Sequence, residues 1–229
     1  SQLDVFAFLA MPLFILTGEL MNRGGIAKAL IDFSMSIVGR FKGGLGHVNV
    51  MTSVFFAGVS GSAVSDAAAL STTLVPEMER QGYSREYAAA ITGASSIIGP
   101  IIPPSVILIF YGALMDTPVA ALFAAGVVPG LLLAGVLMLM NAYFAYRHDH
   151  PGGDNMDLPE VIPSFLRAAP ALTLPFIILG GVLFGFMTPA EAAGVAVCAA
   201  ALVWLFYCDL TLAAIWEFLH NTLVLRDAI

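Results

Sequence analysis

Charge is what this chain has least of. Asp, Glu, Lys and Arg make up 11% of its 229 residues, where a soluble globular domain carries ~25%. With 59% hydrophobic residues and a mean hydropathy of +0.90, no continuous water-facing surface can be assembled. A soluble fold is excluded in favour of a polytopic membrane protein. The 9 basic residues form no stripe, which removes nucleic acid as a partner. Cysteine is nearly absent: Cys198 and Cys208 lie in or beside an apolar helix, without metal-ligand or thiol–disulfide spacing, and read as packing residues. His47, His148, His150 and His220 are scattered. The chain opens without Met, and no basic stretch precedes its first apolar run. The expectation is therefore an internal piece of a longer protein, with no cleavable signal at its start.

A further shortage is apolar length at the centre of the chain. Val54–Ala57 runs into Gly58-Val59-Ser60-Gly61-Ser62-Ala63-Val64-Ser65-Asp66 before apolar sequence resumes as far as Val75. Ala88–Ile98 runs into Gly99-Pro100-Ile101-Ile102-Pro103-Pro104-Ser105, followed by Val106–Leu114. Each arm has roughly 10–14 residues, and a helix needs ~20 to cross the hydrocarbon. Unwound backbone at membrane depth persists only where it is buried in protein or lines a cavity. Paired, Gly/Pro-interrupted segments of this kind point to the ion and substrate site of a secondary transporter.

The remaining segments arrange themselves around these two. Residues 3–22 form a span, with Glu19 and Arg23 at the i,i+4 spacing of an ion pair. Over 24–41, Ile26, Leu30, Phe33, Ile37 and Phe41 share one face, and Lys28, Asp32, Ser36 and Arg40 the other. This predicts an amphipathic helix lying in the interface; an ordinary poor span is the other reading. Gly43-Gly44-Leu45-Gly46 reads as a turn. His47–Ser60 and Ser62–Val75 then form a re-entrant hairpin, with a polar return over Pro76–Arg85. Residues 86–98 and 105–115 are the halves of a broken span. Spans 118–146, 164–186 and 189–207 follow, with the polar loop 147–163 between the first two and an interfacial Leu210–Arg226 at the end. Under this count all 9 basic residues fall on one side, which the positive-inside rule makes cytoplasmic.

The predicted architecture is an all-α polytopic membrane protein of elevator type, holding a first inverted repeat and the start of a second. Residues 1–46 supply a scaffold span and an amphipathic arm. Residues 47–146 form a transport domain, made of hairpin 47–76, broken helix 86–115 and long span 118–146. Residues 147–163 are a cytoplasmic loop, and 164–229 are scaffold spans. Glycines at 43, 44 and 46 and the loop 147–163 are read as the slack that a sliding domain requires.

Ser60, Gly61, Ser62 and Asp66 carry the chemistry of the first break. Glycine lets the backbone turn and present carbonyls, and serine hydroxyls add hard oxygen ligands suited to an alkali ion. A carboxylate at membrane depth is costly unless it faces a cavity or a partner. The other reading is that Ser and Gly simply permit close helix packing, as is expected of Gly181-x-x-x-Gly185. In the second break Pro100, Pro103 and Pro104 remove N–H donors and free carbonyls; a plain kink is the alternative. Helix N-termini after Ser62 and at Ser105 offer partial positive charge to a carboxylate. Thr188-Pro189-Ala190-Glu191 has the spacing of a capping box and reads as structural.

The segments PLFILTGELMNRGGIAKALIDF, FAGVSGSAVSDAAAL, GPIIPPSVILIFYG, FAAGVVPGLLL and MTPAEAAGVAV, in this order, resemble the large membrane subunit of TRAP (tripartite ATP-independent periplasmic) transporters. The resemblance covers nearly the whole chain. It implies a multi-pass, sodium-coupled permease of a bacterial inner membrane, in contact with membrane lipid. Its partners would be a small membrane subunit and a periplasmic substrate-binding protein, and its substrates small organic acids of the C4-dicarboxylate or sialic-acid type. It also implies a cation and substrate site at Ser60, Gly61, Ser62, Asp66, Gly99, Pro100, Ile102, Pro103, Pro104 and Ser105, with sodium, the coupling ion, held at Ser60, Ser62 and Asp66. No other cofactor and no catalysis are implied. The family also has a second hairpin and a second broken helix, which this stretch lacks, so the chain alone is not expected to transport. Competing classes are a divalent-anion/sodium symporter of another elevator family, an intramembrane aspartyl protease using Asp66, and a channel. GPIIPPS and ELMNRGG argue against the first. The absence of a second intramembrane Asp argues against the second, and the absence of ring-forming repeats against the third.

Overall fold

A computed structural model describes residues 10, 12–18, 20, 25–152 and 159–207. The expected Glu19–Arg23 pair and the segment Leu210–Arg226 lie outside the described residues. Those residues are helical, with no strand among them. Helix α1 covers residues 12–18. It is followed by α2 (Ile26–Val38), α3 (Gly44–Ser60), α4 (Ala63–Arg80), α5 (Arg85–Ser96), α6 (Val106–Met115), α7 (Val119–Arg147), α8 (Val161–Leu183) and α9 (Pro189–Tyr207).

The exposed surface differs from that of a soluble protein. Large apolar side chains are exposed along α7 (Leu131, Leu132, Val136, Leu139) and α8 (Phe165, Leu166, Phe176). Asn49, Thr52, Ser53, Asp66, Thr92, Ser95 and Asn141 are buried. Helices α7 and α8, of 29 and 23 residues, are long and apolar enough to cross a membrane, and α6 and α9 add shorter apolar helices. Apolar side chains outside and polar groups inside is what a hydrocarbon solvent selects; most of these polar groups are hydrogen-bonded, while Thr52 Oγ1, Ser53 Oγ and Asp66 Oδ2 have no partner among the described residues.

Helix α2 shows most of the expected two faces, with Ile26, Leu30 and Phe33 buried, and departs from them at Ser36 and Phe41. Lys28 and Arg40 are exposed, but Ser36 is buried and donates to the Phe33 carbonyl at 2.7 Å, while Phe41 is exposed. The helix is wedged between α3 and α8: the Phe33 ring lies 5.6 Å from Phe55 and 5.5 Å from Phe165. Asp32 is half-buried, and burial raises its carboxyl above the usual range against the pull of Lys28 and Arg167.

The glycine run 43–46 is not a free turn. Only Gly43 adopts the left-handed conformation, at φ 75°, and Gly44 and Gly46 lie inside α3. A side chain on Gly46 would strike Asn141 of α7, and one on Gly44 the carbonyl of Gly39. These glycines serve close approach, as small residues do between membrane helices. Helix α4 also differs, running through Pro76 to Arg80 where a loop is expected. Met78 is fully buried and Arg80 pairs with Glu77 at 2.9 Å, which offsets the hydrogen bond that Pro76 forfeits. Gly181-x-x-x-Gly185 is a helix end rather than an interhelix seam. Gly181 abuts Met187 of its own segment, and Gly185 turns left-handed at φ 75° just after the C-cap Phe184. The capping box at the start of α9 forms as read: Glu191 accepts from the Thr188 N–H at 2.8 Å, and Thr188 Oγ1 accepts from the Glu191 N–H at 3.3 Å.

Candidate functional site

The two breaks meet. Helix α3 ends at Ser60, Gly61 turns the chain at φ 58°, and α4 begins after Ser62. Helix α5 ends at Ser96, and the chain stays irregular until Ser105 caps α6. A side chain on Gly61 would strike the Pro104 carbonyl and come within 3.2 Å of Ser105 Cα. On the other flank, a Cβ on Gly99 would lie 2.6 Å from Asp66 Oδ2. Glycine at both positions is therefore what lets the α3–α4 tip sit against the α5–α6 break.

Polar groups at this junction are nearly all committed. Ser60 Oγ donates to Asp66 Oδ1 and accepts from the Ser62 N–H at 3.3 Å. Ser62 Oγ accepts from the Ser65 N–H at 3.5 Å and caps α4. Ser105 Oγ donates to the Pro100 carbonyl at 2.6 Å and accepts from the Leu108 N–H at 3.2 Å, capping α6. The exception is Asp66 Oδ2. It is buried, has no hydrogen-bond partner among the described residues, and faces Gly99. Leaving a carboxylate oxygen bare in a dry interior is costly, so this atom calls for a proton or a cation. Among the described residues no group of three or more His, Cys, Asp or Glu is placed to hold a metal ion. A single carboxylate with carbonyls and hydroxyls suits a hard, weakly held cation rather than a transition metal.

Of the residues singled out from the sequence, Ser60, Gly61, Ser62 and Asp66 are brought together with Gly99, Pro104 and Ser105. Pro100 joins them through its carbonyl bond to Ser105, and the Pro103–Pro104 peptide is cis. Ile102 sends its side chain the other way, against Gly130 of α7.

Sequence reasoning missed the supports. Asn49 of α3 donates to Thr92 Oγ1 at 2.6 Å and accepts from Ser95 Oγ at 3.0 Å, tying the first hairpin helix to α5. Its polarity inside an apolar arm was the available signal. Gly18 of α1 faces the tip, where a Cβ would lie 3.1 Å from Ser60 Cα, and a Cβ on Gly58 of α3 would lie 2.6 Å from the Pro175 ring of α8. Gly58 stands in the first break already read from the sequence, but its neighbour Pro175 could not be read there, and Gly18 is marked only by its small side chain.

A family model described as the DctM component of the tripartite ATP-independent periplasmic transporter matches residues 1–229. The chain belongs to this family. It is 41% identical over 221 residues to the sialic acid TRAP transporter large permease protein SiaM of Vibrio cholerae, covering 96% of this chain and 52% of that one. It is 40% identical over 217 residues to the 2,3-diketo-L-gulonate TRAP transporter large permease protein YiaN of Escherichia coli, covering 94% and 51%. It is 40% identical over 209 residues to the C4-dicarboxylate TRAP transporter large permease protein DctM of Pseudomonas aeruginosa, covering 91% and 49%. The chain thus spans about half the length of the curated relatives it matches. These relatives are permease proteins and not enzymes, which sets aside the protease reading of Asp66. Membership in this family likewise sets aside the divalent-anion symporter.

Proposed function

We propose that this DctM-family chain is part of a permease that imports small organic acids by sodium-coupled secondary transport in a bacterial inner membrane. It works there with a small membrane subunit and a periplasmic binding protein that delivers the substrate. The observation that carries this reading is the bare, buried Asp66 Oδ2 at the contact between the α3–α4 tip and the α5–α6 break. Sodium bound there is neutralised by the Asp66 carboxylate and completed by carbonyls of the Gly99–Pro104 backbone, which prolines leave without helical partners. The N-termini of α4 and α6, at Ser62 and Ser105, add partial positive charge for a substrate carboxylate. The sialic acid, diketogulonate and C4-dicarboxylate permeases to which the chain is similar handle acids, which fits that charge.

The transport step we propose is an elevator movement. Residues 47–146, holding a re-entrant hairpin and a broken helix, slide as a unit against scaffold helices of 1–46 and 164–207. Support comes from where the two parts touch. Gly18 against Ser60 and Gly58 against the Pro175 ring allow close approach, and the side chains around them, Phe56 and Val59 of α3 with Leu174 of α8, form an apolar cluster that has no directional bond to break on sliding. The test uses the full-length permease reconstituted with its small subunit and binding protein. Uptake of a radiolabelled organic acid is expected to require a sodium gradient and the binding protein. A disulfide between Gly58→Cys and Pro175→Cys is expected to stop uptake, and reduction to restore it. Full uptake with that bond closed would sink the elevator reading, and sodium-independent uptake would sink the coupling.

A further inference from the structure

The end of α7 folds back and fastens the start of α3. Asn141 is fully buried. Its Nδ2 donates to the Gly43 carbonyl at 3.1 Å, and its Oδ1 accepts from the Tyr87 hydroxyl of α5 at 2.7 Å. Gly46 leaves the space that the Asn141 side chain fills. Beyond α7 the chain returns, so that the Gly43 N–H donates to the Pro151 carbonyl at 3.1 Å and Lys42 pairs with Asp149. The His150 ring lies against both tyrosines of the α4–α5 corner, with centroids 4.8 Å from Tyr83 and 4.6 Å from Tyr87. Residues 42–46, the start of α5 and residues 141–151 are thus joined by hydrogen bonds, an ion pair and ring contacts from separate elements.

From this geometry we infer that Asn141, Tyr87 and His150 are positioning residues of the transport cycle: they make the junction at Lys42–Gly46 travel with the moving unit. The inference rests on the elevator reading above and reverses one part of it. Glycines 43–46 and the first residues after α7 are the fastening, not the slack. A junction held by an amide whose two ends are both satisfied in a dry interior has one arrangement, since every displacement bares a buried polar group. Bending between arm and unit is then left to Arg40 and Phe41, which follow the end of α2 and are exposed. Hinges between moving parts are a few such residues at element ends.

The test is a covalent version of the fastening. Lys42→Cys and Asp149→Cys in the full-length permease, joined by a short bismaleimide, are expected to leave uptake by the reconstituted complex at the rate of the unlinked double variant. Asn141→Ala without the link is expected to lower the maximal rate several-fold, with the KM for substrate and for sodium unchanged. Adding the link is expected to restore the rate. Tyr87→Phe, which removes one oxygen only, should show a smaller fall of the same kind. Loss of uptake on linking 42 to 149 overturns the inference. So does a rise in KM with unchanged maximal rate in Asn141→Ala, or a link that fails to rescue it. The elevator reading fails separately, through uptake that survives the Gly58–Pro175 bond.

Discussion

Gly61→Ala perturbs the site at the one residue where backbone conformation and contact coincide. Gly61 has φ 58°, and placing an L side chain in the left-handed region costs about 1–2 kcal/mol. The new methyl group also strikes the Pro104 carbonyl and stands 3.2 Å from Ser105 Cα. Overpacking of this kind costs about 1–3 kcal/mol. Pro104 and Ser105 belong to the break and Gly61 to the tip, so the relief available is to part the two halves of the site. If half of a combined loss of about 2–5 kcal/mol falls on the ion-bound arrangement, the sodium dissociation constant rises roughly 5- to 70-fold. Sodium titration of uptake in proteoliposomes reads this, alongside thermal unfolding of the purified protein. Gly82→Ala is the control. Gly82 has φ 94° with nothing within 4 Å of its missing Cβ, so it carries backbone strain without the clash. It should lower stability by about 1–2 kcal/mol and leave sodium dependence alone. Wild-type sodium dependence in Gly61→Ala, or an equal shift in Gly82→Ala, would refute the argument.

Further outcomes follow from the same geometry. Asp66→Asn removes the negative charge but keeps an acceptor for Ser60, so sodium coupling should weaken at least tenfold, on the order of the difference between charged and neutral hydrogen bonds, while melting temperature changes little; a large melting shift with intact coupling would make Asp66 structural. Asn49→Ala strips Thr92 Oγ1 and Ser95 Oγ of their partner in α3 and should destabilise by about 1–3 kcal/mol, read by thermal unfolding, with Asn49→Asp no better. Burial pushes the Tyr83 phenol up to about 12 from 10.0. Above pH 10 the unfolded chain therefore loses a proton that the folded one keeps, and stability falls as pH rises toward 12. Tyr83→Phe should flatten that decline in a pH series of melting curves.

The breaks were legible because they are written in residues with local consequences. Gly61 needs a positive φ, Ser62 and Ser105 cap helices, and prolines at 100, 103 and 104 end α5's ladder, so type and place could be read together. The same local logic failed where a neighbour decides. Pro76 looks like a stop signal, but burial of Met78 and the Glu77–Arg80 pair carry α4 past it. Gly44 and Gly46 look like hinge residues, yet they are empty so that Gly39 and Asn141 can approach. Ser36 looked solvent-facing, and its burial follows from α2 lying between α3 and α8. Asn141 showed only as one amide in a long apolar run, because its partners are 98 and 54 residues away in sequence.

These long-range amides answer a problem that lipid poses. Among membrane helices hydrophobic burial gives little preference for one arrangement, since hydrocarbon tails are as apolar as the core. Specificity must then come from close backbone approach and from polar groups that have a partner in one arrangement only. Helices α3, α5 and α7 carry both devices. Asn49 joins α3 to α5, Asn141 joins α3 to α5 and α7, and Gly126 and Gly130 let the α5–α6 break press into α7. Asn49 precedes Ser60 by ~16 Å of helix, so the same three helices that fix the tip are fixed again further along. Toward α1 and α8 the contacts change character, with Gly18, Gly58 and Pro175 meeting their neighbours without hydrogen bonds. Hydrogen-bonded seams resist sliding more than apolar ones, and the seam toward α8 is apolar, with Phe56, Val59 and Leu174 in one cluster. The boundary between the two kinds runs between α3–α7 on one side and α1 and α8 on the other, which is where the proposed moving unit and scaffold would part.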